Sequence, residues 1–164
     1  MDNTANLNIR SAGTQDIGVL TEFALAMALE TEHKQLDHAT VTRGISRVLA
    51  EPARGSYRVA ERGGAVIGAL MITYEWSDWR CADWWWVQSV YVSPQARRSG
   101  VFSALYRSVQ GEAEQRDDVC GIRLYVERDN QGAQATYAAL GMHDAAYLMM
   151  EQYMPWLGEL IKGK

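Results

Sequence analysis

The run WWWVQSVYVSPQARRSGVFSALY, residues 84–106, decides how this chain is read. Trp84 to Val92 is apolar, rich in β-branched and aromatic side chains, and has the length of a buried strand. Ser93-Pro94 ends it. Gln95-Ala96-Arg97-Arg98-Ser99-Gly100 follows, a short loop with two cations, a hydroxyl and a glycine. Beyond it Val101, Phe102, Leu105 and Val109 recur at helical spacing. The order is strand, basic glycine-containing loop, helix. The first turn of a helix has N–H groups without intrahelical partners and carries partial positive charge. A loop that presents them is a natural anion seat, most often for phosphate. An ordinary strand-to-helix turn with a capping serine explains the same letters, and the loop alone does not separate the two.

On the amino-terminal side, Leu7 to Arg10 predicts a short strand. Thr14 or Asp16 can cap a helix in which Ile17, Leu20, Ala24, Met27 and Ala28 form one stripe. It ends in the polar cluster Glu30-Thr31-Glu32-His33-Lys34. Thr40 can start a second helix, with Val41, Ile45, Val48 and Leu49 on one face, and Pro52 ends it. Tyr57–Glu61 and Ala65–Tyr74 read as strands of a hairpin about Arg62-Gly63-Gly64. Residues 75–80, EWSDWR, read as a charged aromatic loop. On the carboxyl side, Ile122, Leu124 and Val126 alternate as a strand. Asp129-Asn130 caps a helix carrying Ala133, Tyr137 and Leu140, and Gly141 is placed as its C′ residue. Ala145 to Met150 reads as a final strand, with Trp156 and Leu157 of the tail packing back. The helix after Gly100 lies between two strands and predicts a right-handed crossover joining parallel neighbours. The fold class is α/β with a mixed sheet.

The 164 residues suit one domain, 1–164, with a real core. A formal charge of −4 leaves no basic footprint for nucleic acid. Cys81 and Cys120 are too few for a disulfide framework, lack metal-site spacing, and read as buried or half-buried thiols. No metal ligand is assigned. No apolar run nears the roughly 20 residues that span a bilayer, and the polar start MDNTANLNIR has no apolar signal core. A soluble cytoplasmic protein without a membrane partner is expected. Five of the six tryptophans crowd between Trp76 and Trp86, which marks an unusual local surface or pocket.

These motifs in this order resemble the GNAT superfamily of N-acetyltransferases. That family holds acetyl-CoA with an Arg/Gln-x-x-Gly-x-Gly/Ala loop after its fourth strand; here the run is Arg97-Arg98-Ser99-Gly100-Val101-Phe102, with Phe102 departing from the small third anchor. Its next motif, roughly Asn-x-x-Ala-x-x-x-Tyr-x-x-x-Gly-Phe, is matched by Asn130, Ala133, Tyr137, Gly141 and Met142. Gly68 matches a glycine often found in the strand before. The resemblance covers about residues 7–150. It implies a mostly antiparallel sheet with a parallel, splayed β4–β5 pair, flanked by about four helices.

It further implies acetyl transfer from acetyl-CoA to a primary amine, with no metal. Backbone groups from Arg98 to Phe102 would hold the pyrophosphate, with Arg97 and Arg98 adding charge. Main-chain groups of Val90, Tyr91 and Val92 would pair with the pantetheine arm, and Asn130 would bond it. Tyr137 would act as general acid for the leaving thiolate. The position where some members carry a glutamate base falls on Trp86, and Gln88 on the same face has no useful proton affinity. Glu30, Glu32, Glu75, Asp78 and Asp83 are the remaining carboxylates. With Trp86 and Gln88, the residues Glu30, Glu75 and Asp78 suggest an acidic, tryptophan-lined slot suited to a small cationic amine. A protein lysine or N-terminal acetyltransferase stays open, as does a non-catalytic acyl-CoA-binding sensor or interaction module. A homodimer through the late strand and the tail around Trp156 is also open.

Overall fold

A computed structural model describes residues 6–157. The chain gathers into two compact units, one running to Glu127 and the other starting at Arg128. The first holds a five-stranded sheet in the order β1-β2-β3-β4-β5. Its strands are β1 (Leu7–Ser11), β2 (Ser56–Arg62), β3 (Ala65–Ser77), β4 (Ala82–Val92) and β5 (Val119–Leu124). All neighbours are antiparallel except β4 and β5, which run parallel. The helices are α1 (Ile17–Glu32), α2 (His38–Ala50), α3 (Val101–Ala113) and, in the second unit, α4 (Gln131–Ala139). The expected mixed sheet with a parallel β4–β5 pair is what the chain forms, with α1, α2 and α3 flanking it and α4 in the second unit.

Each face of the sheet has its own apolar cover. Leu20 of α1 and Ile45 of α2 meet Tyr57, Val59 and Ala69 on one side, with Phe23, Val48 and Met71 around them. On the other side α3 turns in Val101, Leu105, Tyr106, Val109 and Ala113, and the alternation of β2, β3 and β4 gives it Ala60, Leu70, Ile72 and Val87, all buried. Gly68 lets α3 come close. A Cβ there would lie 2.9 Å from Val101 Cγ1 and 3.2 Å from the Tyr91 carbonyl oxygen. The entry to α1 is locked by Asp16, 3% exposed. Its carboxylate accepts from both Arg10 terminal nitrogens (2.7 and 2.9 Å) and from the Gly13 N–H. Asp16 thus serves as an ion-pair partner instead of the side-chain cap expected of it. Asp37, accepting from the Thr40 N–H at 2.8 Å, starts α2 three residues ahead of Thr40.

Several boundaries differ from the expectation. Residues 75–80 are not a loop: β3 runs on to Ser77 and β4 starts at Ala82, leaving only a turn over 78–81. β-branched and aromatic side chains pair across these strands and carry the hairpin outward. β5 stops at Leu124, short of Val126. Cys81 is exposed in the hairpin turn; Cys120 is half-buried, as expected. Residues 145–150 form no strand. A strand needs a ladder for its N–H and C=O groups, and among the described residues the second unit contains no other strand. Met150 is 92% exposed, and Trp156, expected to pack back, is exposed as well. Among the described residues, no helix is long and apolar enough to cross a membrane.

Candidate active site

The site begins where β4 leaves β5. The parallel ladder runs from Asp83↔Val119 to Val87↔Leu124 and ends there, while β4 stays paired with β3 as far as Val92. Just past that point β4 carries one residue too many. Met71 faces Gln88 and Ala69 faces Tyr91, so Leu70 stands against both Ser89 and Val90. Ser89 absorbs the extra residue with φ +45°. Such a bulge bends a strand and sharpens its twist, which carries β4 away from β5. Beyond it the Ser93 N–H donates to the Ile67 carbonyl (2.9 Å). By alternation the main-chain groups of Tyr91 also face β3, whereas those of Val90 and Val92 face the gap. Of the three residues expected to line a cofactor arm with main-chain groups, Val90 and Val92 turn theirs toward the gap and Tyr91 turns its own toward β3.

The loop that follows is wound tightly. Pro94–Ala96 is a single helical turn, and Ser99 Oγ donates back to the Ala96 carbonyl (2.7 Å). Arg98 and Gly100 both take left-handed backbone, φ +59° and +79°. Glycine adopts this freely, but arginine does so at a cost of about 1–2 kcal/mol. The first helical bond of α3 is Ala104 N–H to Gly100 carbonyl (3.0 Å). The N–H groups of Val101, Phe102 and Ser103 therefore precede the helical ladder. Val101 is buried, and half-buried Phe102 has its ring beside Tyr106, centroids 6.1 Å apart.

Arg97 is engaged elsewhere. Its Nε donates to the Val92 carbonyl (2.9 Å), its Nη2 to Glu30 Oε2 (2.6 Å), and its guanidinium stands 5.4 Å from the centre of the Tyr91 ring. The Tyr91 hydroxyl donates to the other Glu30 oxygen at 2.9 Å. Arg97, and then the Tyr91 hydroxyl, hold the Glu30 carboxyl below the usual carboxylate range. Glu30 is thus tied to the loop before α3 by Arg97 and does not join the cluster around Glu75.

The remaining candidates lie on the face of the sheet shared with α1 and α2. Met71 packs there, so its neighbour Gln88 and the alternating Trp86 and Trp84 share that face, as do Thr73 and Glu75. Gln88 Nε2 donates to Thr73 Oγ1 (2.8 Å). The Trp86 indole donates to Glu75, whose other oxygen accepts from Arg123 Nη1 at 2.8 Å. Trp86 stacks on Tyr125, centroids 4.4 Å apart. Gly121 makes room for the Trp84 ring, which would meet a Cβ there at 2.3 Å. The structure therefore brings Glu75, Trp86 and Gln88 together. It leaves Asp78 out, in the turn after β3. Trp76 projects from the opposite face and Trp79, 85% exposed, from the turn. The expected acidic slot is not assembled, because its two well-placed carboxylates already hold arginines. Arg123 and Tyr125 were missed in the sequence, although alternation from Gly121 places all three on one face. The hollow lined by Tyr74, Asp83, Trp85, Glu112 and Arg116 lies on the α3 side and is no part of this arrangement.

In the second unit, Asn130 Oδ1 caps α4 by accepting from the Ala133 N–H at 3.0 Å. Gly141 closes the helix with φ +91°, while the Met142 N–H reaches back to the Tyr137 carbonyl at 3.0 Å. Tyr137 is half-buried, and burial pushes its phenol above the ordinary tyrosine range.

Comparison with known proteins agrees with this geometry. Residues 22–142 match the model of the acetyltransferase (GNAT) family. A possible acetyltransferase from Clostridium difficile 630 is 37% identical, with 91% of this chain and 98% of that one covered and a TM-score of 0.86. A predicted acetyltransferase with acetyl-CoA from Clostridium acetobutylicum has the same fold at 18% identity, with 89% and 96% covered and a TM-score of 0.71. So has a ribosomal-protein-alanine N-acetyltransferase from Brucella melitensis biovar Abortus 2308, at 17% identity, 90% and 99% covered and a TM-score of 0.72. No curated protein matches the chain. The chain belongs to the GNAT acetyltransferase family.

Proposed function

We propose that this protein transfers the acetyl group of acetyl-CoA to a primary amine of a small molecule. One observation carries the reading: β4 parts from β5 after Val87 and leads directly into a tight loop at the start of α3. An extended thioester arm fits such a gap, since Val90 and Val92 turn main-chain groups toward it. Its pyrophosphate would lie at the start of α3, where the N–H groups of Val101 and Ser103 precede the helical ladder, with Arg98 close by. Binding of acetyl-CoA by a protein of the same fold, the one from Clostridium acetobutylicum, supports the choice of cofactor.

In the reaction, the amine nitrogen attacks the thioester carbonyl, an amide C–N bond forms and the C–S bond breaks. The Val90 N–H, at the bulge itself, faces the gap, and it polarises the carbonyl. A donor of this kind lowers a barrier by about 3 kcal/mol. By the family resemblance Tyr137 would give its proton to the leaving thiolate, and a phenol raised by burial stays protonated at neutral pH. No carboxylate replaces the base that Trp86 lacks, so the amine arrives neutral or passes its proton to water. A binding-only module is the second reading, favoured by Trp86 and Phe102.

Release of free thiol from acetyl-CoA, followed over a panel of small amines, tests the proposal. The expected result is amine-dependent thiol release that disappears in Gly100→Glu. Acetyl-CoA binding without thiol release for any amine would establish the binding module instead. Normal coenzyme affinity in Gly100→Glu would discredit the phosphate seat.

A further inference from the structure

Arg123 stands on β5 opposite Trp86, one residue before Leu124, where the two strands part. It is therefore about 3.3 Å along the strand from the mouth of the gap, on the face that carries Trp84 and Trp86. Its guanidinium carbon is 3.8 Å from the centre of the Trp84 ring and 5.8 Å from that of Trp86. Glu75 holds it from a third direction through Nη1. The side chain is only 26% exposed. A guanidinium has five N–H donors, and among the described residues one is used.

Glu75 is saturated in turn, since its second oxygen accepts from the Trp86 indole. Arg80 lies over the same Trp84 ring, 5.3 Å from its centre. Arg80 and Arg123 thus both lie over Trp84, and Arg123 is held by Glu75. The rings that would attract a cationic substrate already carry the protein's own cations. This face offers a fixed fork of free N–H groups beside an aromatic wall of Trp86 and Tyr125. That is the seat of a carboxylate, whose two oxygens match the fork.

We propose that Arg123 recognises a carboxylate on the acceptor, so that the substrate class is a small primary amine that is also an acid, of amino-acid type. The proposal rests on the acetyl-transfer reading and names its acceptor. With the carboxylate on Arg123, an amine a few ångströms away reaches the point where β4 and β5 separate. Trp84 and Glu75 set the fork's direction, and Gly121 permits the ring that supports it.

The test compares matched pairs of amines, each amino acid against its own amide, in the wild type, Arg123→Gln and Arg123→Lys. The wild type should prefer the acids at least tenfold in kcat/KM. Arg123→Gln should abolish the preference through a higher KM for the acids, leaving the amides and the KM for acetyl-CoA nearly unchanged. Arg123→Lys, which keeps the charge and loses the fork, should recover part of it. If Arg123→Gln does not fold, the wild-type pairs decide together with tryptophan fluorescence. Trp84 and Trp86 should respond saturably to the acid and not to its amide. An equal or reversed preference in the wild type, or a preference that survives Arg123→Gln, overturns the proposal and leaves acetyl transfer standing. Absence of turnover for every amine overturns both.

Discussion

At the scale of single residues, two side chains carry testable weight. Asp16 is nearly buried, and Arg10 holds its carboxyl below the usual range, with the Gly13 N–H adding to the effect. A carboxyl depressed in the folded state adds stability above its unfolded value of about 3.9 and loses it as the pH falls below. Asp16→Asn should cost about 2 kcal/mol at neutral pH, or roughly 4–8 °C in Tm. Thermal melts between pH 7 and pH 2.5 should then show the variant falling less steeply than the wild type below pH 4. Parallel curves would remove Asp16 from the acid response. Tyr137 is the other. Tyr137→Phe should lower kcat about a hundredfold, the lower end of general acid catalysis, with the KM for acetyl-CoA nearly unchanged. An unaltered kcat would take the phenol out of the mechanism. The helix that carries Tyr137 was legible in the sequence because its cap, Asn130, and its closing Gly141 are local. The tie of Glu30 to Arg97 was not, because those residues are 67 positions apart and meet only after folding.

At the scale of elements, the strand-to-helix handover after Val92 was readable from polarity and spacing alone, and so were α1, α2 and the hairpin about Gly63. What stayed hidden is register. One extra residue at Ser89–Val90 decides which groups of β4 face the gap, and nothing in the letters QSVYV announces it. Register also brings Glu75 under the Trp86 indole and so neutralises the slot that composition suggested. Residues 145–150 have strand composition, but composition cannot supply a partner. Gly68 tests the handover directly. Gly68→Ala puts a methyl against Val101 and the Tyr91 carbonyl, and should push the start of α3 outward. Overpacking of this kind costs about 1–3 kcal/mol, and acetyl-CoA affinity should fall with it. A Gly68→Ala protein with unchanged stability and coenzyme affinity would show that this contact does not position the helix.

At the scale of the whole molecule, the chain carries a net charge of −4 and yet is assigned an anionic cofactor. The contradiction is local, since the proposed phosphate seat would use backbone N–H groups at one helix end and would not draw on overall charge. Membership of the GNAT family sets the fold. The acceptor proposed here rests on particular side chains instead, Arg123 on β5 opposite Trp86.

The most direct test of the central claim is a crystal structure of the protein grown with coenzyme A. The account predicts an extended arm against Val90 and Val92 in the gap beyond Val87, with the pyrophosphate at the N-terminal end of α3, beside the Val101 N–H. Coenzyme bound elsewhere, or a gap left empty by saturating coenzyme, would contradict it.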